Sequence, residues 1–107
     1  MATSRDYLDY ILEQLGTLDG ITARAMMGEY IIYCKGKIAA YVCDNRLLVK
    51  PVASAKRLLP DAPQELPYDG AKPMLLVEDI DNRELLTELF ELMYDELPEP
   101  KKKKSDK

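Results

Sequence analysis

Leu8, Ile11, Leu12 and Leu15 fall at i, i+3, i+4 and i+7, which places four apolar side chains on one stripe of a helix. Thr3-Ser4-Arg5-Asp6 precedes them, with Thr3 as the expected N-cap and Asp6 three residues on. Gly16 and Gly20 bracket the expected end of this helix. From Ile21 to Pro51 the pattern changes to short runs of apolar and β-prone residues. They are broken at Gly28-Glu29, Lys35-Gly36 and Asp44-Asn45, each a two-residue turn signal. A four-stranded antiparallel meander is predicted. Pro51 and Pro60 then bound a segment long enough for about two helical turns. The stretch from Pro60 to Pro73 holds four of the seven Pro and reads as a structured loop, with Glu65-Leu66-Pro67-Tyr68 as a short edge strand. Met74-Leu75-Leu76-Val77-Glu78 reads as a strand. Asp81, with Glu84 three residues on, is the expected cap of a last helix. Its apolar stripe is Leu85, Leu86, Leu89, Phe90, Met93 and Leu97. The predicted order is one helix, four strands, a short helix, two strands and a helix, an α+β fold with an antiparallel sheet packed by helices.

Those turns imply a register in which Met27 faces Tyr30, Cys34 faces Lys37 and Cys43 faces Arg46. One face of the meander then holds Arg24, Met26, Ile31, Tyr33, Ile38, Ala40, Val42, Leu47 and Val49. The other holds Ala25, Met27, Tyr30, Ile32, Cys34, Ala39, Tyr41, Cys43, Leu48 and Lys50. Both faces are largely apolar, so each is expected to be covered: helices on one side, a helix or a second subunit on the other.

Composition narrows the function classes. The chain has 107 residues, 47% hydrophobic and 32% charged, the balance of one domain with one core. It has no His and no Trp, which excludes His-based triads, His metal sites and a His pH switch. No apolar run approaches the roughly 18 residues of a membrane span. The N-terminus lacks the basic start and apolar stretch of a signal peptide, so a cytoplasmic location is expected. Cys34 and Cys43 fall at opposite ends of a hairpin, roughly 20 Å apart at about 3.3 Å per residue, and are read as reduced, packed thiols. Residues 98–107 hold five Lys against Glu99 and Asp106 and nothing apolar. They are expected to form a disordered, solubilising tail after a single domain over residues 1–97. The tail carries +3 of a total of -4, leaving -7 on the body. A body of that sign repels a phosphate backbone, so direct nucleic-acid binding is not expected beyond weak contact through the tail.

Three groups of residues are candidates for chemistry. Arg24 and Lys50 stand within strands and Lys72 follows Gly70-Ala71. With Tyr33, Tyr68 and Glu29 they offer a cationic and phenolic pocket for a small anion or an acidic peptide. Against this, Arg24 can pair or pack its stem under Tyr33, and Lys50 can extend to solvent from a strand end. Asp61, Glu65, Asp69, Glu78, Asp79 and Asp81 include no pair fixed on one rigid face for acid–base work. Cys34 and Cys43 lack a His partner for nucleophilic catalysis. Neither a cofactor site nor a metal site is expected, since there is no Gly-rich phosphate loop and no Cys-x-x-Cys.

Arg24-Ala25-Met26-Met27-Gly28-Glu29-Tyr30-Ile31-Ile32-Tyr33, then Gly36-Lys37, Leu48-Val49-Lys50 and Leu66-Pro67-Tyr68-Asp69-Gly70-Ala71-Lys72-Pro73-Met74, resemble the N-terminal domain of the TfoX/Sxy family. The resemblance spans about residues 4 to 97. It implies an α+β fold like those of YjbR-like proteins and type III secretion chaperones. Full-length members are regulators of natural competence with a second, helical domain, whereas this chain looks like a stand-alone N-terminal-type domain. Its Met26-Met27-Gly28-Glu29 departs from the family's usual Met-Phe-Gly-Gly. The resemblance implies no reaction, cofactor or catalytic residue. The expectation is therefore a non-enzymatic, cytoplasmic regulatory module that binds a protein partner or itself. The alternatives are an anion-binding or enzymatic pocket at Arg24, Tyr33, Lys50, Tyr68 and Lys72, and weak DNA binding through the tail.

Overall fold

The computed structural model describes residues 4–26, 28–67 and 69–97. Its elements are α1 (Arg5–Gln14), β1 (Ile21–Met26), β2 (Glu29–Cys34), β3 (Lys37–Cys43), β4 (Arg46–Val49), α2 (Ala53–Leu58), β5 (Gln64–Glu65), β6 (Met74–Val77) and α3 (Arg83–Tyr94). The order is the one the hydrophobic pattern predicts. The strands form one six-stranded sheet in the order β1-β2-β3-β4-β6-β5, antiparallel at every pairing. The predicted disordered tail lies outside the described residues.

Both helix caps sit one residue later than the capping pattern suggests. Ser4, not Thr3, caps α1: its hydroxyl accepts from the Tyr7 N–H at 3.1 Å. Asn82, not Asp81, caps α3 by accepting from the Leu85 N–H at 3.1 Å. Asp81 instead accepts the Tyr10 hydroxyl proton, which ties the start of α3 to α1.

The β1–β2 turn is also displaced. Glu29 opens β2 and pairs with Met26, so it belongs to the strand and not to the turn. Met27, expected opposite Tyr30, lies outside the described residues; Tyr30 pairs with Ala25. The other turns are where expected. Lys35 and Gly36 have φ of 51° and 88°, and Asp44 and Asn45 have 52° and 55°. Two successive positive φ values give the type I′ turn, whose twist matches that of the flanking strands.

A bulge corrects the predicted faces. The β2–β3 register steps between Ile32 and Tyr33, with Tyr33 opposite Ile38 and Ile32 opposite Ala40, leaving Ala39 without a partner. The extra residue inverts the alternation of β3 beyond it. Ala40, Val42, Leu47 and Val49 therefore join Ile32 and Cys34 on the helix side, where they form one buried cluster with Leu8, Ile11, Leu15, Leu86, Leu89, Phe90 and Met93. The opposite, open face carries Arg24, Ile31, Tyr33, Ile38, Tyr41, Cys43, Arg46, Leu48, Met74 and Leu76. That face is more mixed than the unbulged pattern suggests. Even so, Ile31, Cys43, Leu48 and Met74 are buried on it. Arg46 reaches across β6 to Glu65 on β5, with Nη1 to Oε1 at 2.9 Å, and holds the edge strand and the following loop against this side.

α2 has no cap of its own, since its N-cap position is Val52. The Glu96 carboxylate, just past α3, accepts the Ser54 N–H at 2.7 Å and the Ser54 hydroxyl at 2.6 Å. An anion on the first turn of a helix satisfies donors that the helix leaves open. These bonds hold the Glu96 carboxyl below its ordinary value of 4.5. A carboxyl lowered on folding stabilises the fold above its unfolded pKa, and that contribution is lost as pH falls through the folded value. Glu96→Gln is expected to lower the melting temperature near neutral pH and to flatten the acid limb of the stability profile below about pH 4.5. Thermal melts across pH check this; parallel acid limbs for both proteins would contradict it.

Candidate functional site

The open face deepens into a cleft where β4 ends. The Lys50 N–H donates to the Ala39 carbonyl at 3.1 Å and the Val52 N–H to the Lys50 carbonyl at 2.8 Å, so the chain after β4 is held in place. Pro51 follows. On the other side the 66–73 loop returns to β6, with Pro67 buried. The cleft between them has a volume of about 420 Å³ and is lined by Tyr41, Lys50, Pro51, Pro67, Ala71, Lys72, Pro73 and Met74. Three of these are Pro, whose fixed φ restricts the backbone on both sides of the cleft. A cleft that is rigid before it is filled loses little entropy on binding.

Lys50 and Lys72, expected from the sequence to share a pocket, both line this cleft. Arg24 is elsewhere: it lies exposed on β1 opposite Ile31, three strand spacings, about 14 Å, from β4 across the sheet. Tyr33 is half-buried on β2 between Thr22 and Ile38 and does not line the cleft. Tyr68 lies outside the described residues, although its neighbour Pro67 is in the wall. The sequence left Tyr41, Pro51, Pro67, Pro73 and Met74 unassigned as lining residues. The density of Pro between 60 and 73 was the available signal.

The carboxylates are dispersed. Asp61, Glu78 and Asp79 border a shallow depression of about 200 Å³, Glu65 is paired with Arg46, and Asp81 accepts a hydrogen bond from the Tyr10 hydroxyl. Among the described residues no group of three or more His, Cys, Asp or Glu is placed to hold a metal ion, and no helix is long and apolar enough to cross a membrane.

A second cleft, of about 360 Å³, lies where the loop after α1 meets the end of α3, lined by Thr17, Leu18, Asp19, Cys34, Lys35, Glu91 and Tyr94. Beside it Lys37 is buried and donates from Nζ to the Tyr94 carbonyl at 3.1 Å. The same ammonium lies 4.2 Å from the Tyr94 ring centroid, and that of Lys35 lies 5.2 Å away. A cation at the carbonyl end of α3 meets both the helix dipole and the ring face. Nothing in the sequence marks Lys37 as buried, because a Lys after a turn Gly is ordinarily solvated.

The thiols are free and buried, Cys34 on the helix side and Cys43 on the open face. Burial raises the Cys34 thiol, opposed by Lys35 and Lys37. Cys43 is pushed up to about 11, first by burial and then by the nearby Glu29 carboxylate. Neither is an activated nucleophile, since the thiolate is the reactive form.

A helical layer on one side of a six-stranded antiparallel sheet, with strands and helices in this order, defines a small α+β domain. Residues 13–96 match the TfoX N-terminal domain family, and the chain belongs to that family. Both cleft lysines fall inside the matched region. A curated relative from Spirochaeta aurantia, described as an uncharacterized 12.7 kDa protein in the trpE 5′ region, is 29% identical over 106 residues, covering 98% of this chain and 92% of the relative. No solved structure matches the chain.

Both thiols are expected to react with an aromatic disulfide reagent at pH near 7.5 at least about tenfold more slowly in the folded protein than in denaturant. Fast labelling of the native protein at either position would contradict the burial and the raised pKa values.

Proposed function

We propose that this protein is a non-catalytic binding module that takes an acidic peptide segment of a protein partner into the Lys50–Lys72 cleft. The observation that carries the reading is the pairing of two cations with an apolar, Pro-walled floor in a chain whose net charge is -4. Tyr41, Met74 and the three Pro accept an apolar side chain, and the two ammonium groups select carboxylates beside it. A peptide is favoured over a free anion because the lining is mostly apolar, and two lysines without a guanidinium fork or a helix N-terminus give an inorganic anion little to hold.

The absence of activated thiols and of any His supports a non-catalytic role. Reduced, buried cysteines fit a reducing compartment, which is the basis for a cytoplasmic location. Membership of the TfoX N-terminal domain family, together with the resemblance to competence regulators, supports a regulatory role.

The test uses a synthetic peptide of alternating Glu and Leu, with an alternating Lys and Leu peptide as control, titrated while backbone amide shifts are recorded. Shifts centred on Tyr41, Lys50 and Met74 with the acidic peptide alone are expected, weakening as salt screens the charges. Lys50→Glu combined with Lys72→Glu should weaken binding by at least about tenfold. Equal binding of the two peptides, or an unchanged affinity in the double variant, would overturn the reading.

A further inference from the structure

The two edges of the sheet are unlike. β5 is only Gln64–Glu65 and stands between Pro63 and Pro67, so it offers almost no ladder to a further strand. β1 is six residues long, contains no Pro and carries one charge, Arg24. Edge strands of that length without Pro or repeated charge pair readily with another strand.

The hydrogen-bond phase of β1 fixes which groups are offered. The Lys35 N–H donates to the Gly20 carbonyl at 2.7 Å, and the register continues as Thr22 opposite Tyr33, Arg24 opposite Ile31 and Met26 opposite Glu29. In an antiparallel pair, bonded positions alternate with positions whose N–H and C=O point away. Thr22, Arg24 and Met26 are thus spent on β2. Ile21, Ala23 and Ala25 turn their main-chain groups outward, and among the described residues no hydrogen bond from a loop or side chain is seen to reach them.

We propose that β1 is a self-association edge, pairing antiparallel with β1 of a second copy about a two-fold axis through Ala23. In that register Ala23 meets Ala23, and Ile21 meets Ala25 in both directions. All the outward positions then exchange ladder bonds, about six in total. Thr22 lies beside Arg24 of the second copy on the open face, and the helix-side positions Ile21, Ala23 and Ala25 are apolar throughout. Moving the axis to Arg24 sets the two guanidinium groups against each other, which is unfavourable. Moving it to Thr22 carries Ala25 past the end of the partner strand, which starts at Ile21. The favoured register is therefore both self-complementary, as a two-fold interface requires, and free of like-charge contact. It joins two six-stranded sheets into one, with all helices on one side and both Lys50–Lys72 clefts on the other. The occupant is a second copy of the chain because this short strand satisfies itself with every outward group bonded. The ladder alone covers less than the roughly 1,200 Å² of a stable interface, so the dimer is concentration-dependent.

Sedimentation equilibrium of the full chain from low micromolar to near-millimolar concentration is the test, with folding of each variant checked by its amide spectrum. A monomer–dimer equilibrium is expected. Thr22→Asp should tighten it by roughly two- to thirtyfold, the range two symmetric opposite-charge cross-strand pairs supply, and Thr22→Lys should weaken it comparably. Ala23→Pro removes only an outward N–H and should abolish the dimer while leaving the β1–β2 ladder in place. A monomer at every concentration overturns the proposal. So does a dimer whose affinity is unchanged in both Thr22 variants, which would put the contact elsewhere.

Discussion

Between Ile32 and Tyr33 the β2–β3 ladder steps by one residue, and Ala39, with no accessible surface, takes up the step. A strand alternates its side chains with a period of two, so one added residue reverses every position beyond it. Without the bulge, Ala40, Val42, Leu47 and Val49 would share a side with Arg24 and Tyr33. With it they lie beneath the helices, and Tyr41, Leu48 and Lys50 are turned to the open side. The β3–β4 ladder, in register from the Asp44-Asn45 turn, continues one rung past Val49 with the Lys50 N–H on the Ala39 carbonyl, and Pro51 then ends it where the cleft begins.

The helix layer is closed by side chains that act across elements. Gln14 on α1 donates to the Ile80 carbonyl at 2.9 Å, Glu96 caps α2 from beyond the end of α3, and Lys37 rises from the sheet to the last carbonyls of α3. Glu96 and Lys37 satisfy backbone groups that helix ends leave open, and Gln14 ties α1 to the turn before α3. All three helices are thereby committed to one side. The open face and its cleft lie on the other side of the sheet. The cleft and the β1 edge lie on different strands, so the two proposed contacts do not compete for the same residues.

The order of elements was legible because each carries its own local signal: 3.6-residue stripes in α1 and α3, two-residue turns at Lys35-Gly36 and Asp44-Asn45, and Pro at both ends of α2. Cap positions were off by one because Thr3-Ser4 and Asp81-Asn82 each offer two adjacent capping residues, which a sequence pattern does not tell apart. Asp81 is drawn to Tyr10, leaving Asn82 to cap. The bulge leaves no mark in the sequence, since Ala39 and Ala40 look alike to any periodicity. Of the candidate site, Lys50 and Lys72 were visible as cations out of pattern. Their Pro and Met surroundings depended on the path of the 66–73 loop, a long-range property set by Arg46 and Glu65.

The step at Ala39 decides which face is which, and interstrand nuclear Overhauser contacts in the isotope-labelled protein test it most directly. Contacts joining Ile31 to Tyr41 and Ile32 to Ala40 are the expected result. Contacts joining Ile31 to Ala40 and Ile32 to Ala39 would mean an unbroken ladder, with Tyr41 and Lys50 beneath the helices and no cleft on the open face.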